Sequence, residues 1–210
     1  MIYPKHKRAW MLFFDIYNRF KMKFNFFQHR IIYDEMSFMH SHKSYLVVCN
    51  HTSWWDGFWV LRLNKLVFKK QFHVAMLESE LRKNKFLSCI GAFSVPEAVS
   101  ELRSFFQLGK SILDNKENML LFFPQGEFAS LYDQDIHFKN GVWQLLNQSQ
   151  ENVEVVFVGN FIDYYSYQKP TLSSYVELYK RSFSGLVDLQ HAYQIFYDAC
   201  LTHQINNKET

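Results

Sequence analysis

The chain is poor in cysteine. Cys49, Cys89 and Cys200 stand far apart, and no two form a CxxC pair. An odd, sparse set excludes a disulfide framework and a thiolate metal site, and it fits a reducing compartment. Long apolar runs are missing as well. The most apolar early stretch, Trp10 to Phe14, is cut short by Asp15. A membrane-spanning helix needs about 18 apolar residues in a row, so the chain is expected to lie on a membrane rather than cross it. No cleavable signal peptide is evident. Net charge is low. A formal charge of +3 does not argue for nucleic acid as a partner. Nor is the chain charge-rich in the manner of disordered proteins, since only 20% of its residues are charged and 48% are hydrophobic.

What remains is aromatic. The 210 residues hold 22 Phe, 12 Tyr and 5 Trp. That length suits one domain with an N-terminal extension, here read as residues 1–30 followed by a main domain over 31–210. In the extension Lys5, Lys7, Arg8, Arg19, Lys21 and Lys23 are interleaved with aromatics, and Asp15 is the one acid. Phe13, Tyr17, Phe20 and Phe24 recur at helical spacing, so an amphipathic helix is expected. Two readings of it stand side by side. Basic residues beside an aromatic face suit the interface of an anionic bilayer. Alternatively, the helix packs on its own domain.

From residue 44 onward, short apolar runs alternate with helical patterns. Strands are expected at Tyr45–Cys49, Phe72–Met76, Ala92–Val95, Asn118–Phe123, Val153–Val158 and Tyr175–Tyr179. Helices are expected near 56–66, 79–86, 99–113, 142–146 and 186–200. This order predicts an α/β domain with a mostly parallel sheet covered by helices on both faces.

The chemistry concentrates in Asn50-His51-Thr52-Ser53-Trp54-Trp55-Asp56, which follows a buried strand and opens a helix. Open α/β sheets place reactive groups there, beyond the carboxyl ends of strands. A carboxylate five residues after a histidine can reach one imidazole nitrogen across such a turn and leave the other free to accept a proton. Thr52 or Ser53 is a candidate helix cap. Trp54 and Trp55 read as core aromatics, with contact to an acyl chain as the alternative. A second constellation follows. Leu120-Leu121-Phe122-Phe123-Pro124-Gln125-Gly126-Glu127 is a strand ending in Pro-x-Gly, and Phe138-Lys139-Asn140-Gly141 stands just ahead of a helix.

In order and spacing these blocks resemble the glycerolipid acyltransferase family, which includes the 1-acylglycerol-3-phosphate acyltransferases. The likeness runs from about residue 45 to 180. Glu80-Leu81 with Phe86 and Gly91–Val95 looks like the approach to the family's second block, and Val155–Val158 like its fourth. The resemblance implies that His51 is the general base, that Asp56 orients it, and that Pro124, Gln125, Gly126, Glu127 and Lys139 help bind substrate. It implies direct transfer of a fatty acyl group from acyl-CoA or acyl-carrier protein to a hydroxyl of a lysophospholipid-type acceptor, at the cytoplasmic face of a membrane. No metal and no cofactor beyond the thioester co-substrate is implied. Backbone N–H groups near the helix start are candidate oxyanion donors.

Three departures bear on the acceptor. Gln125 stands where the family usually has Glu, and Glu127-Phe128 where it has Thr-Arg. Pro96-Glu97 replaces an acid-Arg pair in the second block. Guanidinium groups suit phosphate because they bind it bidentately. Their loss leaves two readings open. Either the acceptor is not phosphorylated (a pigment, a glycolipid or an aminoacyl lipid), or Lys139, Arg103 or His137 supplies the cation. A catalytically silent lipid-binding protein on the same fold is a third reading, against which the intact His51 and Asp56 stand.

Overall fold

The computed structural model describes residues 1–35, 38, 42–149 and 152–207. Seven strands form one sheet in the order β1-β7-β6-β2-β5-β3-β4. They are β1 (Gln28–Tyr33), β2 (Ser44–Cys49), β3 (Gln71–Leu77), β4 (Ala92–Val95), β5 (Asn118–Phe122), β6 (Val153–Asp163) and β7 (Thr171–Tyr179). Strands β6, β2, β5, β3 and β4 run parallel. Strand β7 returns antiparallel to β6, and β1 runs parallel to β7 at the edge. The helices are α1 (Arg8–Asn25), α2 (Asp56–Leu63), α3 (Glu78–Lys83), α4 (Leu102–Leu113), α5 (Gly141–Asn147) and α6 (Leu186–Asn206).

The mostly parallel sheet and its helical layers are as the sequence predicts. The physical cause is legible in β2. Leu46 and Val48 face one way and pack with α4, α5 and α6, while Tyr45, Val47 and Cys49 face the other way and pack with α2. Each of these is at most 2% exposed, as expected of a central parallel strand covered twice. Two strand ends differ from expectation. Strand β7 begins at Thr171, because Ser173 and Ser174 are buried despite their polarity, and Ser174 Oγ donates to Asn160 Oδ1 at 2.6 Å. Strand β6 runs on to Asp163 to pair with it.

Helix α1 buries one narrow face and exposes another. Phe14 stacks on Phe58, Asn18 Nδ2 donates to the Phe58 carbonyl, and Met22 packs against Trp59 and Leu172. The aromatic stripe noted in the sequence turns mostly outward instead. Phe13, Phe20 and Phe24 are more than half exposed, beside Leu12 and Ile16. Among the described residues, no helix is long and apolar enough to cross a membrane.

Candidate active site

The two motif loops meet because their strands are neighbours. Strands β2 and β5 lie side by side and parallel, with Val48 opposite Phe122. Their carboxyl ends therefore deliver Asn50-His51 and Phe123-Pro124-Gln125-Gly126 to the same edge of the sheet. His51 Nδ1 lies 3.0 Å from Asp56 Oδ2. The same carboxylate oxygen accepts from the backbone N–H groups of Thr52 and Ser53, at 2.7 and 2.9 Å. Asp56 is the first residue of α2 and is fully buried. It folds back over the turn that precedes it, so the distance to His51 is set by backbone donors and not by a free rotamer.

Because the carboxylate can only accept, Nδ1 carries the proton, and Nε2 is left with its lone pair. None of the described residues bonds Nε2. The ring is held from both sides: it stacks on Phe123 at 3.9 Å between centroids, with the planes 14° apart, and meets Phe128 at 4.4 Å. The main chain around it is fixed too. His51 N donates to Gln125 Oε1 at 2.8 Å, and Ala129 N donates to the His51 carbonyl at 2.8 Å.

Asn50 closes the turn, and the closure reaches across the sheet. Its Nδ2 donates to the Asn160 carbonyl at 3.0 Å, while its Oδ1 accepts from Asn160 N at 2.8 Å. One side chain thus continues the β2–β6 ladder beyond Cys49 and sets where His51 begins. The sequence offered only the adjacency of Asn50 to His51 as a signal; Asn160, more than a hundred residues away, had none.

His51 lines a cavity of about 560 Å³. That volume falls within the roughly 300–1,000 Å³ of small-molecule sites. Its walls are mainly apolar and come from β3, β4 and α4, among them Phe72, Val74, Ala92, Phe105 and Phe106. Pro124, Gly126, Glu127, Lys139 and Trp54 stand with His51 in the lining. Gly126 has φ +69°, and a Cβ there would come within 2.8 Å of Lys139 Cδ. The left-handed turn therefore lets the Lys139 stem lie directly across the loop. Lys139 Nζ sits 3.6 Å from Glu127 Oε1, and both side chains are exposed.

Of the residues named from sequence, His51, Asp56, Pro124, Gly126, Glu127 and Lys139 come together at or against this cavity. Gln125 does not line it. It is 7% exposed and turned inward, and it holds the His51 backbone. Arg103 and His137 are exposed and stand outside the lining. Neither Thr52 nor Ser53 caps α2 by its side chain. Ser53 Oγ instead accepts from Trp55 N at 3.1 Å. The Thr52 and Ser53 amides are engaged by Asp56, which removes them as oxyanion donors. Trp54 is 36% exposed at the cavity rim rather than in the core. All three cysteines are buried, and burial pushes the Cys200 thiol up to about 12 and the Cys49 thiol well above its ordinary value. Such thiols are poor nucleophiles.

No family model and no curated protein matches the sequence. Seven solved chains match the structure. Among them is the 1-acyl-sn-glycerophosphate (LPA) acyltransferase PlsC from Thermotoga maritima. The likeness has a TM-score of 0.61 at 15% identity and covers 92% of this chain and 79% of that one. At that identity the comparison establishes a shared fold.

Proposed function

We propose that this protein transfers an acyl group from an acyl thioester, either acyl-CoA or acyl-carrier protein, to the hydroxyl of a lipid-like alcohol. The observation that carries the reading is the His51–Asp56 pair, Nδ1 to Oδ2 at 3.0 Å, set at the wall of an apolar cavity with Nε2 unbonded among the described residues. The fold shared with a glycerophosphate acyltransferase supports it.

The acyl chain occupies the apolar cavity, which places the thioester carbonyl near His51. Nε2 takes the proton of the acceptor hydroxyl as its oxygen attacks that carbonyl, and Asp56 stabilises the imidazolium that forms. The tetrahedral intermediate expels the thiolate, which takes the proton back from Nε2. An ester and a free thiol result, with no acyl-enzyme. The test is direct: purified protein given labelled acyl-CoA and a panel of lipid alcohols forms labelled ester. Absence of ester with every acceptor and both thioester donors would remove the proposal.

The same reading places the protein on the cytoplasmic face of a membrane, reached through α1. Leu12, Phe13, Ile16, Phe20 and Phe24 form an exposed apolar stripe flanked by Arg8, Arg19 and Lys23. Apolar area and basic residues together drive interfacial binding to anionic bilayers. Replacing Phe13, Ile16, Phe20 and Phe24 together by serine is expected to reduce binding to anionic liposomes at least about tenfold, given the apolar area removed. The melting temperature should hardly move, because the anchoring contacts of Phe14, Asn18 and Met22 are untouched. Liposome sedimentation at two salt concentrations checks this, and unchanged binding would assign the stripe another purpose.

A further inference from the structure

We infer that the acceptor is a lipid alcohol whose head group carries no net negative charge, and in particular no phosphate monoester. The inference rests on the acyl-transfer reading of the His51 cavity and narrows its substrate. It is carried by the charges that line the cavity. Among the described lining residues these are Glu80, Glu127 and Lys139, two carboxylates against one ammonium.

The single cation has an acid beside it. Lys139 Nζ lies 3.6 Å from Glu127 Oε1. Its stem is fixed across Gly126, and its backbone N–H donates to the Pro124 carbonyl at 2.8 Å. A phosphate drawn to Lys139 would sit beside the Glu127 carboxylate, which repels it. Glu80 is paired to Lys83, Nζ to Oε1 at 2.7 Å, but Lys83 stands outside the lining. Gln125 is turned to the His51 backbone, and Arg103 and His137 lie outside the lining, so none of them completes a phosphate site. A dianion is held by forked or multiple cations in such sites, and among the described residues none converge with Lys139 here.

The rest of the surroundings suits an apolar acceptor. An aromatic groove of about 440 Å³ between α1, α2 and α3 shares Trp54, Phe58 and Glu80 with the cavity. Phe13 and Tyr17 line it from α1, and Phe86 lines it from the segment after α3. An acceptor with an acyl or polyene body can lie there and bring a neutral hydroxyl head to His51. A negatively charged head on the same path meets Glu80 and then Glu127.

The test uses two lipids that differ only in the phosphate, 1-oleoylglycerol and 1-oleoylglycerol 3-phosphate, in neutral detergent micelles. Binding is read by the quenching of Trp54 fluorescence, with Trp54→Phe as the control, and transfer by labelled ester from acyl-CoA. Ester on either lipid speaks to the acyl-transfer reading, whereas the ratio between the two lipids speaks to the head group, and the binding ratio does so even without turnover. The neutral lipid is expected to bind at least about tenfold more tightly, since one uncompensated charge contact near the surface is worth that much. Glu127→Gln, which frees Lys139, should close most of that gap. Equal or tighter binding of the phosphate-bearing lipid by the unaltered protein would overturn the inference while leaving the transfer reaction standing.

Discussion

Replacing His51 by alanine is expected to lower kcat for acyl transfer by about 10³-fold, the usual worth of a positioned general base. Without the imidazole the acceptor hydroxyl must attack unassisted, and none of the three cysteines offers a second route, since all are buried. The fold should survive. The His51 side chain is 19% exposed, and its contacts are two aromatic faces and one carboxylate. KM for the thioester should change little, because the proposed acyl site is built by β3, β4 and α4. Initial rates with labelled acyl-CoA, alongside the circular dichroism spectrum, separate loss of chemistry from loss of structure. Undiminished turnover would place the base elsewhere.

Asp56→Asn should be nearly as severe, and for two separable reasons. The first is catalytic. An amide cannot supply the negative charge that stabilises the imidazolium, and because Asp56 acts through His51 the loss should approach that of His51→Ala without exceeding it. The second is structural. Asp56 Oδ2 accepts three hydrogen bonds, while Oδ1 is buried with no partner among the described residues. If the asparagine oxygen keeps those three bonds, its NH₂ group is buried without an acceptor. If the amide flips, it sets donor against donor at Thr52 and Ser53. Either arrangement costs about 1–3 kcal/mol, so the melting temperature should fall together with kcat. In contrast, the double variant with His51→Ala should be no slower than His51→Ala alone, because Asp56 acts through His51. An additive rate loss in the double variant would give Asp56 a separate role.

Much of this was legible before any coordinates. The central strands announce themselves because a strand buried on both faces must be apolar throughout. Tyr45–Cys49 and Met119–Phe122 are such runs. Strand β1 was not legible. Gln28-His29-Arg30 is polar, every position of β1 is half-buried, and no alternation marks an edge strand of that kind. The start of β7 hid for a related reason, since Ser173 and Ser174 read as loop residues until their burial and the bond from Ser174 to Asn160 are seen. At the site, His51 and Asp56 could be paired from spacing, because a tight turn limits where a carboxylate can go. Gln125 could not be placed. The family resemblance implies a substrate contact, but whether a side chain faces a cavity or its own backbone depends on the loop's path. The outward turn of Phe13, Phe20 and Phe24 was equally hidden, since helical spacing fixes which residues share a face and not what that face meets.

Nuclear magnetic resonance of protein labelled with ¹⁵N in histidine tests most directly whether His51 presents a bare nitrogen to the cavity. In the neutral ring, the proton is expected on Nδ1, facing Asp56, with Nε2 showing the shift of an unprotonated ring nitrogen. A proton found on Nε2 instead would leave no lone pair to receive the acceptor's proton, and would contradict the account.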